Sequence, residues 1–281
     1  MLRRGGFFAF FPLAWMILFF VVPTFLVVLL SFRERGTLGE ILPGYTLEHY
    51  RRLADPLYMG ILLDSLIVAV VVTLLCLALG YPLAYHISRQ SRRSQRVWLF
   101  LVILPFLINF LIRSYAWVIL LRAQGVVNTA LMKLGLISQP LPLLYNDGAV
   151  LLGMVYGLLP FMVLPVYISL ERLDRRKLEA AYDLGATPLR AFWHVTLPLT
   201  MPGVLTGATL VFVSSSGMFV VPEVMGGAQS ALIGNVIQNQ FLSARNWPFG
   251  SAMSVILTLA SLAMIALMYR AFRTAGGKEP M

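Results

Sequence analysis

Apolar and polar positions along this chain fall in blocks rather than at a helical or strand period. Six apolar runs, about 7–31, 61–87, 97–121, 149–170, 201–221 and 249–268, are separated by polar segments. An α-helix needs about 20 apolar residues to cross roughly 30 Å of hydrocarbon. The pattern therefore predicts an all-α membrane protein, one transmembrane domain with six spans. The first run follows Arg3 and Arg4, as a signal peptide would. It is longer than the core of about 7–15 residues that such peptides carry, and no small-residue cleavage site follows, so it reads as an uncleaved span. The second run carries Asp64 near its start and Pro82 near its end, and the third is interrupted by Asn109 and Arg113.

Composition supports this. Of 281 residues, 59% are hydrophobic and 12% charged, and the mean hydropathy is +0.81. That is about half the charge of a soluble domain, too little polar surface to cover a soluble globule and too apolar for disorder.

The net charge of +10 raises the question of nucleic acid. The distribution of the charge answers it. The segment before the first run, the segments joining the second run to the third and the fourth to the fifth, and the C-terminal tail hold fourteen of the 22 basic residues. They hold five of the 12 acids, so +9 of the +10 lies on one side. Lys and Arg are retained in the cytoplasm. Both termini are thus expected to be cytoplasmic, with the basic excess recording orientation in a lipid membrane and not a nucleic-acid surface. On the other side lie two long segments, 32–60 and 122–148. Residues 126–134 of the second read as a short helix along the membrane face.

Candidate chemistry is sparse. Cys76 is the one cysteine, and His49, His86 and His194 lie far apart, so no metal-ligand spacing exists. No phosphate-binding G-x-x-x-x-G-K-[ST] loop is present, so the chain does not hold ATP by that route. Paired carboxylates or a Ser/His arrangement within the spans are also missing, and no catalytic residue is expected.

The polar segment 171–200 is more informative. Lys177–Leu184 is a good helix former, with Leu178, Ala181 and Tyr182 on one side. Gly185 suits a helix C-terminus where φ is positive. Thr187-Pro188 reads as an N-cap followed by proline at the first helical position. Pro198 and Pro202 separate the second short helix from the fifth span. The expected product is a helix–turn–helix knuckle, with Glu179 charged at its tip and Ala180 and Ala181 small enough for close approach. Taken on composition alone, an ordinary amphipathic connector is the favoured reading.

The spacing Glu179-Ala180-Ala181, three residues, Gly185, nine residues, Val195, one residue, Leu197-Pro198 resembles the coupling signature of permease subunits of binding-protein-dependent ABC importers. Leu104-Pro105-Phe106, Ile112–Trp117, Gly125–Asn128, Val221–Gly227, Ile233–Phe241 and Asn246–Ala252 resemble the spermidine/putrescine permeases within that family. The resemblance covers most of residues 5–275. It implies the type I importer permease fold in a bacterial inner membrane. It also implies a second permease subunit as a heterodimer partner, two cytoplasmic ATPase subunits that use ATP and Mg, and an external substrate-binding protein. Glu179, Ala180, Ala181, Asp183, Gly185, Leu197 and Pro198 would couple the permease to the ATPase. The implied cargo is a polyamine; iron, thiamine, phosphonate and opine importers are the alternatives, and a channel or membrane-embedded enzyme the other classes. One departure stands out: Met218 occupies the place before Phe219-Val220-Val221-Pro222 where a polyamine permease is expected to carry an acidic or polar residue.

Candidate pathway residues are Asn109, Arg113, Tyr115, Trp117, Ser215, Glu223 and Asn235. Polar groups inside a bilayer are costly and often functional. Asn109 and Arg113, four apart, are expected on one helical face, with Arg113 either snorkelling or lining the pathway and Asp64 either interfacial or its partner. Tyr115 and Trp117 would wall a cationic pocket or belong to an aromatic belt. Ser214, Ser215 and Ser216, Gly153 and Gly157, and Gly203 and Gly207 read as helix-packing positions. Glu223 would receive a cation or cap a short helix.

Overall fold

The computed structural model describes residues 11–275 apart from Leu13, Leu38, Ala228 and Gln229. Arg3, Arg4, Lys278 and the start of the first apolar run lie outside them. Among the described residues, six helical stretches are long and apolar enough to cross a membrane. They are Ala14–Ser31, Pro56–Ser88, Phe110–Lys133, Asp147–Glu171, Pro188–Ser216 and Trp247–Ala271.

The helices are α1 (Val22–Ser31), which continues a π-helical turn at Ile17–Val21, α2 (Glu48–Leu53), α3 (Pro56–Ser88), α4 (Arg92–Ile103), α5 (Phe110–Leu121), α6 (Val126–Lys133), α7 (Asp147–Glu171), α8 (Arg175–Asp183), α9 (Pro188–Ala191), α10 (Leu197–Ser216), α11 (Ile233–Leu242) and α12 (Trp247–Ala275). A two-stranded antiparallel hairpin, β1 (Arg33–Arg35) and β2 (Ile41–Tyr45), follows α1. The chain groups into two compact units, one of residues up to Leu62 with Val236–Ala260, the other of Leu63–Asn235 with residues from Ser261 on.

The first unit is tied by polar contacts around the hairpin. Ser31 shares a 2.6 Å hydrogen bond with Tyr50, and Arg35 donates to the Ala244 carbonyl at 2.9 Å. The Arg52 guanidinium lies 4.6 Å from the centre of the buried Phe249 ring. Asn246 caps α12, its Oδ1 accepting from the Phe249 N–H at 3.4 Å.

The second unit is built on α7 against α10. Their glycines set the spacing. A Cβ at Gly203 would stand 2.5 Å from the Pro165 carbonyl oxygen, and one at Gly207 would stand 2.8 Å from the Met162 sulfur. The backbones therefore meet only because both positions are bare. Met154, Met162, Val163, Val166, Val204 and Val211 fill the seam and are buried. In lipid, such packing replaces hydrophobic burial as the force between helices.

The third apolar run departs from the single helix expected over 97–121. Helix α4 stops at Ile103, Leu104–Leu107 tightens into a 3-10 turn, and Ile108 is extended with ψ 136°. Asn109 then starts a new helix, its side chain accepting from the Leu111 N–H at 2.9 Å. Pro105 and the capping asparagine are the cause: one cannot donate into a continuing helix, and the other competes for the backbone. The fifth run also ends early. Helix α10 stops at Ser216, and after Gly217 the chain enters a π-helical turn, Pro222–Gly226.

The short helix expected over 126–134 is present as α6. Asn128 is fully buried beneath it and clamps the following loop. Its amide donates to the Leu141 carbonyl at 3.0 Å and accepts from the Leu141 N–H at 2.9 Å.

Candidate functional site

Two features of the second unit carry chemistry: the α8–α9 knuckle and a cavity beside α5. The knuckle is specified locally. Asp174 caps α8, accepting from the Arg176 N–H at 3.0 Å. The helix ends with Gly185 at φ +80°. Gly185 N–H donates to the Tyr182 carbonyl at 2.9 Å and Ala186 N–H to the Ala181 carbonyl at 3.0 Å. This is the paired 5→2 and 6→1 pattern of the Schellman cap. It explains the spacing from Ala181 to Gly185 physically, because the first supplies the last-turn carbonyl and the second the left-handed residue. Thr187 then caps α9, accepting from the Arg190 N–H at 3.4 Å, with Pro188 at its first position.

The knuckle is anchored on α3 by an aromatic contact that sequence reasoning missed. Phe192 stands edge-on to Tyr81 and Tyr85, with ring centres 5.6 and 6.1 Å away. The Tyr81 hydroxyl shares a 2.9 Å hydrogen bond with Thr200 of α10. Beyond that anchor the knuckle presents apolar side chains. Leu184 is 89% exposed, Leu189 68% and Trp193 57%. Glu179, Ala180, Asp183, Gly185 and Pro198 are also exposed, whereas Ala181 and Leu197 are half-buried. Glu179 and Tyr182 border a polar cleft of about 720 Å³ whose other wall includes Arg89, Arg92 and Gln95. Arg92 and Glu171 form an ion pair beside it.

The cavity, an open pocket of about 290 Å³, lies between Phe106, Phe110, Arg113, Gly157, Phe161, Ser214 and the Gly217–Val220 stretch. Arg113 is 8% exposed and donates to the Pro105 carbonyl at 3.0 Å. That carbonyl also accepts from the Ile108 N–H at 3.3 Å, so the guanidinium is its second donor at the break in the third run. Its carbon lies 5.4 Å from the Phe106 ring centre, 5.0 Å from Phe110 and 5.7 Å from Tyr156. Gly157 makes room: a Cβ there would stand 3.2 Å from the Phe110 ring and 3.7 Å from the guanidinium.

The other expected pathway residues separate. Asn109 caps α5 and is exposed, whereas Arg113, one turn on, is buried. Tyr115 lies two residues from Arg113, on the far side of the helix, and is exposed, whereas Trp117 is one turn on and packs edge-on to Tyr156 at 5.4 Å. Ser215 is buried and donates back to the Phe212 carbonyl at 3.0 Å, so it serves helix packing, and its neighbour Ser214 borders the cavity instead. Glu223 is exposed in the π-helical turn and does not border the cavity. Asp64 is exposed and does not pair with Arg113. Asn235 sits one hydrogen bond behind the cavity, donating to the Phe219 carbonyl at 2.9 Å. Its Oδ1 is buried without a hydrogen-bond partner among the described residues. Tyr156, Phe110 and Phe161 were not anticipated, since an aromatic residue in an apolar run carries no signal of its own.

Comparison with known proteins agrees with this architecture. Residues 77–274 match the family described as binding-protein-dependent transport system inner membrane component. The chain is 44% identical over 264 residues to the spermidine/putrescine transport system permease protein PotB of Escherichia coli (strain K12), covering 94% of this chain and 96% of that protein. It is equally 44% identical, over 258 residues, to PotB of Haemophilus influenzae, covering 92% and 90%. In fold, it superposes with TM-score 0.78 at 16% identity on the crystal structure of a bacterial ABC transporter involved in the import of the acidic polysaccharide alginate, over 97% of this chain and 96% of that one. The chain belongs to the inner membrane component family of binding-protein-dependent transport systems, and is a six-span permease subunit of an ABC importer.

Proposed function

We propose that this permease carries a polyamine across the inner membrane, with the knuckle as its link to an ATPase and the Arg113 cavity on its pathway. The observation that supports the cargo is the 44% identity, over nearly the whole chain, to a relative named for spermidine and putrescine. In this reading both termini and the knuckle are cytoplasmic, as the basic segments require. The exposed Leu184, Leu189 and Trp193 then meet an ATPase groove, because a soluble surface rarely leaves such a cluster uncovered. Two ATPase subunits hold ATP and Mg, a second permease subunit completes the pathway as a heterodimer, and an external binding protein delivers the cargo. Closure of the ATPase pair moves the knuckle, and Phe192 passes that motion to α3 through Tyr81 and Tyr85. Coupling exists only if the two access states differ in these contacts.

A second cargo reading rests on one observation. Among the residues bordering the cavity, the charged one is a cation, Arg113, which by itself suits an anionic or neutral solute. The assembled importer in proteoliposomes decides between them. ATP-dependent uptake of radiolabelled spermidine, with spermidine retained by the cognate binding protein, supports the polyamine. A binding protein that retains an anion and no polyamine overturns it.

A further inference from the structure

Arg113 is an unusual resident for a cation pathway. It is buried within a membrane span, its neighbours in the cavity include no carboxylate, and one hydrogen bond to Pro105 is recorded for it among the described residues. A guanidinium carries five donors, so hydrogen bonding leaves most of this charge uncompensated. Three aromatic rings stand within 6 Å of it, the distance at which a ring face attracts a cation. Phe106, Phe110 and Tyr156 therefore form a cation box, and Gly157 holds its floor open for the guanidinium. The adjoining cavity of about 290 Å³ is near the lower limit of small-molecule pockets. Its walls of Phe161, Met218 and Phe219 suit a methylene chain.

We infer that this box is a binding site for an organic ammonium group, and that Arg113 occupies it as a tethered cation when cargo is absent. The inference rests on the polyamine reading of the cargo. Its physical logic is that of a pathway site, which must be favourable enough to enter and weak enough to leave. An internal cation competes with every incoming ammonium, so cargo passes through without being trapped. It also explains how Met218 can stand where a polar residue was expected: ring faces, not a carboxylate, compensate the charge.

Trp117, edge-on to Tyr156, is a built-in reporter. In the assembled importer, with the other four of its five tryptophans in this chain replaced by phenylalanine, Trp117 emission is titrated with tetramethylammonium, spermidine and the neutral hexane-1,6-diol. With Arg113→Met, tetramethylammonium should give a saturable change at least tenfold tighter than with Arg113 present. Adding Phe110→Leu should abolish it, and the diol should give none. Arg113→Gln, which keeps a donor for the Pro105 carbonyl, carries the same expectation if the methionine variant does not fold. An arginine that only staples the broken helix would create no ammonium affinity when removed. Equal responses with and without Arg113, or no response in either variant, overturn the proposal. Tetramethylammonium binding without spermidine binding upholds the box and overturns the polyamine cargo.

Discussion

Gly185 gives the sharpest test of the knuckle. Beyond its own chain neighbours, no heavy atom lies within 4 Å of where its Cβ would stand, yet its φ is +80°. A side chain there meets no neighbour, so substitution acts through the backbone alone. For an ordinary L-residue the left-handed conformation costs about 1–2 kcal/mol. If Gly185→Ala escapes that strain by opening the turn, it gives up the Gly185–Tyr182 and Ala186–Ala181 hydrogen bonds, each worth about 1 kcal/mol. Either way, docking must supply roughly 1–2 kcal/mol to restore the cap, a factor of about 5–30 in the knuckle–ATPase equilibrium. Asparagine tolerates the left-handed region and serves as the control. The expected order of ATP-coupled uptake in proteoliposomes is Gly, then Asn, then Ala, then Val, with membrane insertion equal in all four. Wild-type uptake in Gly185→Val would refute the reasoning, as would Asn and Val variants that fail equally.

Other expectations follow from single contacts. Gly207→Ile places its side chain against Met162, and overpacking of about 1–3 kcal/mol or more should lower the melting temperature in detergent, with Gly60→Ile, whose Cβ meets nothing within 4 Å, as the tolerated control. Asn128→Ala strips both hydrogen bonds from Leu141. Each orphaned group costs about 1–3 kcal/mol, so limited proteolysis should cut within 134–145 before any other segment. The Arg92–Glu171 pair is largely solvent-exposed on the arginine side. Exposed pairs contribute about 0–1 kcal/mol, so Arg92→Gln should leave thermal stability nearly unchanged; a large loss would show that the cleft depends on it. Phe192→Ala removes the edge-on contacts to Tyr81 and Tyr85. It should reduce uptake per ATP hydrolysed while ATP hydrolysis continues, and an unchanged ratio would remove Phe192 from the coupling route.

The knuckle was legible because its signals are short-range. Gly185, Thr187 and Pro188 act within four or five residues of themselves, and each appears in the structure as a cap or turn of the expected kind; Asp174, which caps α8, carries the same short-range signal but was not singled out. The cavity was not legible. Its Arg113 stood out as a charge in an apolar run, but its walls come from α5, α7 and the turn after α10. The break at Pro105–Asn109 mattered most here. The residues marking it were noticed, yet reading the run as one helix hid the role of Asn109. The start of a new helix instead turned Asn109 into a cap and brought Phe106 and Phe110 around the guanidinium.

By itself, then, the sequence determined that the chain carries six stretches apolar enough to cross a membrane, and where the knuckle turns. Transfer from water to hydrocarbon acts residue by residue, and capping acts over one helical turn, so both can be read along a single chain. Tertiary structure alone decided which aromatic rings enclose Arg113, that Ser215 packs while Ser214 borders the cavity, and that Phe192 ties the knuckle to α3. In lipid, every apolar face is equally at home before the helices meet. Their pairing is decided by close steric fit, as at Gly203 and Gly207, and that fit exists only between helices far apart in the chain.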